Sequence, residues 1–310
     1  MISASRGDQG QEQQTNDDES GCYKTEVGMA TISAPVTWTN EYIAGTPRIA
    51  VDKQGAGPLL VLMHGIGGNR TNWHDQFAAF AQYFTVVSWD ARGYGNSDDY
   101  DGPLNPIDFS HDLKCLLDHY GAQKAHIAGL SMGGMIAQDF YSLYPEHVAT
   151  LVLCDTSDGL NTRMTPEQRE EFIRLRLGPL LAGKEPKDMA PTVTDTLIGR
   201  QSSRATWQRL VDSMAALHKE SYIKTVRANT SRTDYPDARQ IRVPTLLVFG
   251  EDDRLTPPAI GRAMQAKIPG AELIIIPTAG HLSNIEQPAV FNQTGPWGEG
   301  ESSTGSWQPW

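Results

Sequence analysis

The chain has 310 residues, of which 39% are hydrophobic and 20% are charged, a composition typical of a globular protein with a large core. Its formal net charge is −11, whereas phosphate binding needs clustered Lys and Arg, so we expect no nucleic-acid partner. No apolar run approaches the roughly 20 residues that a membrane-spanning helix needs, so we expect no membrane partner.

The two ends of the chain differ in composition from the middle. Residues 1–28 are rich in Gln, Asp and Ser and lack the apolar stretch of a signal peptide, so we expect a disordered extension there. Residues 293–310 are rich in Gly, Ser and Trp without a period, which predicts a flexible tail. The three cysteines, Cys22, Cys115 and Cys154, are odd in number and form no C-x-x-C pair. This pattern favours a reducing compartment, and we expect a cytoplasmic protein.

Short apolar runs alternate with helical patterns from residue 30 onward. The stretch 30–53 predicts an antiparallel strand pair that turns at Ala44-Gly45 and lies at the edge of a sheet. Six continuous apolar runs follow, at 59–63, 84–89, 125–130, 149–154, 245–250 and 273–276. Because these runs do not alternate with polar residues, they predict parallel strands that are buried on both faces.

Apolar residues recur at helical spacing between these runs, at 71–83, 108–120, 135–144 and 257–268. An alternation of strands and helices predicts an α/β fold with a mostly parallel sheet of the eight-stranded type, flanked by helices.

One segment interrupts the alternation, because residues 159–238 contain helical patterns and no run that predicts a strand. We therefore expect residues 29–158 and 239–292 to form the α/β core, with 159–238 inserted as a helical cap. Trp207 and Met214 lie on one face of a predicted cap helix and are candidate substrate-pocket residues. Packing against a neighbouring helix is the alternative role for both.

The candidate nucleophile lies in the sequence Gly-Leu-Ser-Met-Gly at 129–133, between a predicted strand and a predicted helix. This sequence matches G-x-S-x-G, in which a tight turn exposes a serine at the top of a sheet. Gly129 and Gly133 fit the motif because side chains would collide in such a turn. The N-terminus of the following helix offers free N–H groups and positive potential to developing negative charge. The motif therefore predicts Ser131 as the nucleophile.

A serine nucleophile needs a base and an acid that orients the base. His281 lies in a loop after the last predicted strand, and His64, which also follows a strand, is its main rival. The acid candidates are the consecutive residues Glu251, Asp252 and Asp253, and the chain order serine, acid, histidine is the one that the motif predicts. The other histidines lie in or beside predicted helices and strands, where surface or packing roles suit them better: His74, His111, His119, His126, His147 and His218.

Two backbone N–H donors are needed to stabilise a tetrahedral intermediate. We assign one to Met132, which follows the nucleophile, and the other to Ile66 in the glycine-rich loop after the run 59–63, with Gly67 as the alternative. The sequence contains no H-E-x-x-H and no other cluster of metal ligands, so we expect neither a metal nor a cofactor.

Five motifs together resemble the α/β-hydrolase fold superfamily over about residues 35–292: HGIGG, DARGYGNSD, GLSMGG, GEDDRLTP and AGHLSNIEQP. The acid of that family usually stands in G-x-x-D-x-x-x-P, which corresponds here to Gly250, Asp253 and Pro257. The resemblance thus implies Asp253, not Asp252, as the acid. The chain is most similar to the 3-oxoadipate enol-lactonase-like branch, which implies hydrolysis of esters or lactones beneath a helical cap without a cofactor.

The motifs and the resemblance together predict a serine hydrolase that cleaves carboxylic esters or lactones through an acyl-enzyme on Ser131. A carbon–carbon bond hydrolase or a cofactor-free perhydrolase with the same three residues is one alternative, and a non-catalytic hydrolase-like receptor is another. Haloalkane dehalogenases and epoxide hydrolases are disfavoured, since their nucleophile is an aspartate. We expect a small-molecule ester or lactone as the partner, and a monomer or homodimer.

Overall fold

The structure is a computed structural model that describes residues 37–159 and 164–294. The extension expected at 1–28 lies outside these residues, as does the expected tail beyond residue 294. No helix in the described part of the chain is long and apolar enough to cross a membrane.

Eight strands form one sheet in the spatial order β1-β2-β4-β3-β5-β6-β7-β8. Strand β2 pairs antiparallel with β1 and with β4, and every other pair of neighbouring strands is parallel. The strands are β1 (Thr39–Ile43), β2 (Ile49–Gln54), β3 (Leu59–Met63), β4 (Thr85–Trp89), β5 (Ala125–Leu130), β6 (Val148–Cys154), β7 (Thr245–Gly250) and β8 (Glu272–Ile276). The mostly parallel, eight-stranded sheet predicted from the sequence is confirmed.

The first two strands form the hairpin that the sequence predicts at the sheet edge. Ile43 pairs with Ile49, so the connection between the strands includes the expected turn at Ala44-Gly45. The second strand then pairs with β4, which attaches the hairpin to the parallel strands.

Ten α-helices are found in the described residues. They are α1 (His74–Phe80), α2 (Asp108–His119), α3 (Met132–Leu143), α4 (Pro166–Leu181), α5 (Pro186–Leu197), α6 (Arg204–Ala215), α7 (Lys219–Ser231), α8 (Pro258–Gln265), α9 (Ser283–Glu286) and α10 (Pro288–Gln293). A short 3₁₀ helix, Arg70–Trp73, precedes α1 and accounts for the first part of the helix expected at 71–83.

Side chains of β3 show why its sequence is continuously apolar. Leu59, Val61 and Met63 belong to a core cluster that also contains residues of α2 and α3. Leu60 and Leu62 point to the other face, where they join residues of α1 and α10 in a second cluster. Because both faces are covered by helices, neither set of alternating positions can be polar.

The helices α4, α5, α6 and α7 all fall between β6 and β7, in the segment for which the sequence predicts no strand. The described residues of that segment contain helices and connections only. We call these four helices the cap. The carboxyl ends of β5, β6 and β7 meet at one edge of the sheet, where α/β proteins place their ligand sites.

Candidate active site

Ser131 occupies a sharp turn between β5 and α3. Its backbone has φ 55° and ψ −112°, a strained conformation for a residue with a side chain. Hydrogen bonds with β6 and with the residues after it hold this strained backbone in place. The N–H of Ser131 donates to the carbonyl of Cys154 at 2.8 Å. The hydroxyl of Thr156 donates to the carbonyl of Ser131 at 2.6 Å. The turn therefore holds the serine at the carboxyl edge of the sheet.

Two glycines make this turn sterically possible. A Cβ atom on Gly129 would lie 2.2 Å from the carbonyl oxygen of Gly133, and one on Gly133 would lie 2.3 Å from the carbonyl oxygen of Met63. Both distances are much shorter than a van der Waals contact. A side chain at either position would therefore collide with the backbone, as expected from the motif.

Ser131, His281 and Asp253 form one continuous chain of hydrogen bonds. The Nε2 atom of His281 lies 2.9 Å from Ser131 Oγ, and its Nδ1 atom lies 2.8 Å from Asp253 Oδ2. A proton on Nδ1 donates to the carboxylate, so Nε2 carries a lone pair that can accept the serine proton. His281 and Asp253 are 4% and 3% exposed, so the hydrogen bonds lie almost entirely out of water.

The structure separates the three consecutive acids. Asp252 forms an ion pair with Arg200, whose side chain is 83% exposed. Glu251 accepts a 3.1 Å hydrogen bond from the N–H of Thr278. Of the three, only Asp253 reaches His281, which is the arrangement that the family resemblance implies.

The pKa values of this pair are shifted in opposite directions. Burial alone would raise the pKa of Asp253, but the charge and hydrogen bond of His281 and the hydrogen bonds from Thr256 lower it. Burial alone would lower the pKa of His281, but the charge and hydrogen bond of Asp253 outweigh burial and raise it. The pair therefore favours an ionised carboxylate beside an imidazole that binds a proton readily.

His64, the rival base, has a different environment. Its Nδ1 donates to the carbonyl of Gly65 at 2.7 Å, and its Nε2 accepts from the N–H of Ala91 at 3.1 Å. Burial lowers its pKa, which favours the neutral ring that these two bonds require. Both ring nitrogens are thus occupied by backbone groups, and the residue anchors the loop that follows β3.

The loop after β3 passes against the candidate nucleophile. A Cβ atom on Gly65 would lie 3.2 Å from the Cβ atom of Ser131. Ile66, Met132 and Ser131 line the same cavity, and within residues 37–159 and 164–294 the N–H groups of Ile66 and Met132 have no acceptor. The two assigned donors thus lie beside Ser131, and their role toward an oxyanion stays a prediction.

A second part of the cavity lies beneath the cap and also reaches Ser131 and His281. All four cap helices contribute to its lining, through Phe172 and Arg176 of α4, Thr194 and Leu197 of α5, Leu210 and Met214 of α6, and Tyr222 and Val226 of α7. Both parts share Ile66, Ser131 and Leu255, so they form one site around the serine.

The two candidate pocket residues are placed differently. Met214, which is 5% exposed, lines the cavity, and a Cβ atom on Gly67 would lie 3.0 Å from its Cε atom. Trp207 lies away from the cavity, where its Nε1 donates to Asp195 of α5 at 2.7 Å and the guanidinium of Arg204 stacks 3.7 Å from its ring. Trp207 is corrected from a pocket residue to a contact between α5 and α6.

Asp155 is part of this site and was missed in the sequence, since no motif marks it. It is fully buried directly after β6, at φ 43°. Its carboxylate accepts hydrogen bonds from the N–H of Gly250 at 2.7 Å and from the hydroxyl of Ser283 at 2.6 Å. Burial and the charge of Asp253 raise its pKa, against the opposing effects of His281 and these hydrogen bonds. The sequence feature that could have identified Asp155 is its position directly after a buried strand, at the edge of the sheet where Ser131 lies.

Potential metal ligands are not clustered in this part of the molecule. Among the described residues, no group of three or more His, Cys, Asp or Glu side chains is placed to hold a metal ion.

Comparison with known proteins agrees with this architecture. The sequence model of a family described as alpha/beta hydrolase fold matches residues 58–288. A 2-hydroxy-6-oxononadienedioate/2-hydroxy-6-oxononatrienedioate hydrolase of Paraburkholderia phymatum is 31% identical, over 87% of this chain and 97% of its own. The 3-oxoadipate enol-lactonase 2 of Acinetobacter baylyi is 26% identical, over 77% of this chain and 87% of its own.

Solved structures include proteins with a similar fold. A thermophilic esterase from Thermogutta terrifontis, solved with malate bound, is 27% identical and superimposes with a TM-score of 0.73. The match covers 82% of this chain and 96% of the esterase. The similarity therefore extends over most of this chain and nearly the whole of the esterase.

Proposed function

The chain belongs to the α/β-hydrolase family, and from this premise we propose that it is a serine hydrolase that cleaves carboxylic esters or lactones. The observation that carries the proposal is the hydrogen-bonded series from Ser131 Oγ through His281 to Asp253, with bonds of 2.9 Å and 2.8 Å. The names of an enol-lactonase and an esterase among its relatives support this class of reaction.

Each residue has one task in the proposed reaction. His281 Nε2 takes the proton of Ser131 as its Oγ attacks the carbonyl carbon of the substrate. The N–H groups of Ile66 and Met132 donate to the oxyanion that forms. Asp253 keeps the proton of His281 on Nδ1 and stabilises the imidazolium.

Collapse of the intermediate expels the alcohol, which receives the proton from His281, and leaves an acyl group on Ser131. Water, deprotonated by His281, then attacks the acyl group, and the acid is released as His281 returns that proton to Ser131 Oγ. In a lactone the alcohol and the acid belong to one molecule, so ring opening and hydrolysis yield a single hydroxy acid. Neither step requires a metal, and prolonged EDTA treatment should leave the rate unchanged.

A second candidate reaction is hydrolysis of a carbon–carbon bond by the same three residues. It is favoured by the 31% identity to a hydrolase whose named substrate contains an oxo group and no ester. Cofactor-free perhydrolysis would also use the same three residues. A turnover screen with 4-nitrophenyl esters, small lactones and a dienone carbon–carbon substrate, measured side by side, ranks these activities.

The proposal is tested directly by labelling with a fluorophosphonate probe. The protein should take one label, and Ser131→Ala should abolish it. Ser157→Ala is the matched control, because Ser157 lines the same site and is not bonded to His281. This variant should keep the label. A label that survives Ser131→Ala, or a wild-type protein that takes none and turns over no substrate, would refute the assignment.

A further inference from the structure

Asp155 is a buried carboxylate to which the proposed reaction gives no task. It is 0% exposed, directly after β6, and its φ of 43° lies in the left-handed region that a residue with a side chain rarely adopts. Removing a carboxylate from water and holding its backbone in this region both cost free energy. The contacts that Asp155 makes must offset both costs, so they indicate what the residue does.

The two oxygens of the Asp155 carboxylate bind two different segments. Oδ1 accepts from the N–H of Gly250 at 2.7 Å, three residues before Asp253. Oδ2 accepts from the hydroxyl of Ser283 at 2.6 Å and from its N–H at 3.2 Å, two residues after His281. One side chain thus connects the end of the strand that leads to the candidate acid with the loop that carries the candidate base.

These bonds hold the loop of His281 on the side where other contacts with the acid are lacking. Before His281, the N–H of Asp252 donates to the carbonyl of Ala279 at 2.7 Å. After His281, the carboxylate of Asp155 binds Ser283. The imidazole therefore lies between two fixed points of its loop, and Asp155 provides the second of them.

Electrostatic effects agree with a position of Asp155 beside the candidate pair. Burial and the charge of Asp253 raise the pKa of Asp155. Burial opposes the raised pKa of His281, which the charges of Asp253 and Asp155 both favour. The next residue, Thr156, connects the same segment to the nucleophile, because its hydroxyl donates to the carbonyl of Ser131 at 2.6 Å.

We propose that Asp155 is a positioning residue, whose carboxylate bridges Gly250 and Ser283 and thereby holds the catalytic base in line. This inference rests on the proposed function and adds a fourth side chain on which the reaction depends. Proton transfer requires hydrogen-bond distance and alignment between His281 and the serine, and a displacement of about 1 Å can cost about 100-fold in rate. A carboxylate suits this place because its two oxygens accept several bonds from one rigid group.

The first test changes the carboxylate and keeps its shape. Asp155→Asn retains an acceptor for Gly250 but turns an amide NH₂ toward the N–H of Ser283, and asparagine tolerates the left-handed backbone. We expect kcat for 4-nitrophenyl butyrate to fall about 10- to 100-fold with KM almost unchanged, because substrate binding does not need the base. Rates are compared on the pH plateau of each variant, so that a changed pKa of His281 does not contribute.

The second test removes the hydroxyl at the other end of the bridge. Ser283→Ala keeps the backbone N–H, so it is the milder variant and decides the question if Asp155→Asn does not fold. It should lower kcat about 3- to 10-fold, as the loss of one hydrogen bond does. Ser221→Ala is the matched control, because Ser221 is also buried and its hydroxyl donates to the carboxylate of Asp99 at 2.7 Å. This variant should retain the wild-type kcat.

The double variant shows whether the two changes act through one bond. Asp155→Asn combined with Ser283→Ala should lower kcat no further than Asp155→Asn alone. The proposal is overturned if the two effects on kcat multiply. It is also overturned if Asp155→Asn and Ser283→Ala lower Tm and leave kcat at the value of Ser221→Ala, because Asp155 would then only support the fold.

A proton NMR measurement distinguishes failure of this inference from failure of the proposed function. If the protein takes no fluorophosphonate label and cleaves no ester, the hydrolase assignment fails. The Nδ1 proton between His281 and Asp253 should still give a far-downfield resonance, which Asp253→Asn abolishes. Displacement or loss of this resonance in Ser283→Ala, but not in Ser221→Ala, supports the positioning role. A wild-type protein without the resonance, or a resonance that Ser283→Ala leaves unchanged, refutes it.

Discussion

The backbone N–H of His281 donates a 2.7 Å hydrogen bond to the carbonyl oxygen of Leu197, the last residue of α5. The loop that carries the candidate base is thus bonded directly to a cap helix. Glu286 strengthens the connection, because its carboxylate accepts from the N–H of Gly199 at 2.7 Å and from that of Gly280 at 3.0 Å. The position of the cap and the position of the imidazole are therefore set by one group of contacts.

Gly280 lies within this connection and has no space for a side chain. A Cβ atom there would lie 2.4 Å from both the N atom of Gly199 and the carbonyl oxygen of Leu197. We expect Gly280→Ala to lower stability by about 1–3 kcal/mol, as overpacking does, and to lower kcat because His281 moves with its loop. Thermal unfolding and ester kinetics measure the two effects.

Gly178→Ala is the matched control for that substitution. Gly178 lies in α4, and a Cβ atom there meets nothing within 4 Å. Alanine is the better helix former by about 1 kcal/mol, so this variant should be as stable as the wild-type protein or more so, with unchanged kinetics. An active, fully stable Gly280→Ala variant would show that α5 and the histidine loop move independently.

The pH dependence of activity should follow His281. Only the neutral imidazole can take the serine proton, and Asp253 raises the pKa of His281 above its ordinary value of about 6.5. We therefore expect kcat/KM to fall as the pH falls, with a midpoint above about 6.5. Rates measured from pH 4 to 9 with one neutral ester give this midpoint, and a profile that is flat down to pH 4 would contradict a histidine base.

The raised pKa of His281 should affect stability in the opposite direction from activity. A histidine whose pKa is higher in the folded state binds its proton more tightly there, which stabilises the folded protein below the unfolded pKa. That contribution is lost as the pH rises through the raised pKa. The contribution of His281 to Tm should therefore decrease over the pH interval in which activity increases, and His281→Gln should lack it.

Much of the fold was predictable because burial on both faces leaves a direct mark in the sequence. Strand β3 has no polar position, so its five residues predicted a parallel strand without further information. The site was predictable where backbone geometry restricts residue type, as at Gly129 and Gly133. The choice among three adjacent acids did not follow from spacing alone, and it needed the family motif, because all three follow the same strand.

The residues that the sequence did not reveal depend on tertiary contacts. Arg176 lies in α4 among other charged residues, and only the packed structure distinguishes it from exposed Arg174. Helical periodicity placed Met214 and Trp207 on one face of a helix, but it could not show that Trp207, two turns earlier, contacts Asp195. Periodicity identifies a face of a helix, and the packing partner of each turn is set by residues distant in the sequence.

Substitution of each of the two adjacent aspartates should show which one is the orienting acid. Asp253→Asn removes the carboxylate that receives the Nδ1 proton of His281, and we expect kcat to fall by roughly 10⁴-fold. Asp252→Asn removes an ion pair with the exposed Arg200, a kind of contact worth about 0–1 kcal/mol, and weakens the 3.1 Å hydrogen bond from the N–H of Arg200. Neither contact involves His281, so the rate should change little. Steady-state kinetics of both variants with one ester suffice. If Asp252→Asn proved the damaging change, the assignment of the acid would be wrong.

The Asp253→Asn variant also tests whether Asp253 causes the raised pKa of His281. Without the charge of Asp253, the remaining dominant influence on His281 is burial, which lowers its pKa. The residual activity of Asp253→Asn should therefore decline at a lower pH than that of the wild-type enzyme. If the midpoint of the pH profile did not move, the loss of activity at low pH would be due to a group other than His281.

Substrate size should depend on Met214 and not on Trp207. Met214 closes the cavity against Gly67, so Met214→Ala enlarges the space beside Ser131. We expect the ratio of kcat/KM for a long ester to that for an acetate to rise, although truncation of a buried methionine also costs about 2–5 kcal/mol of stability.

Met264→Ala controls for that cost, since Met264 is fully buried in α8 and belongs to the core cluster. Trp207→Ala should loosen the contact between α5 and α6 and lower Tm with an unchanged ester ratio. If Met214→Ala, Met264→Ala and Trp207→Ala all lowered both esters in the same proportion, Met214 would have a packing role alone.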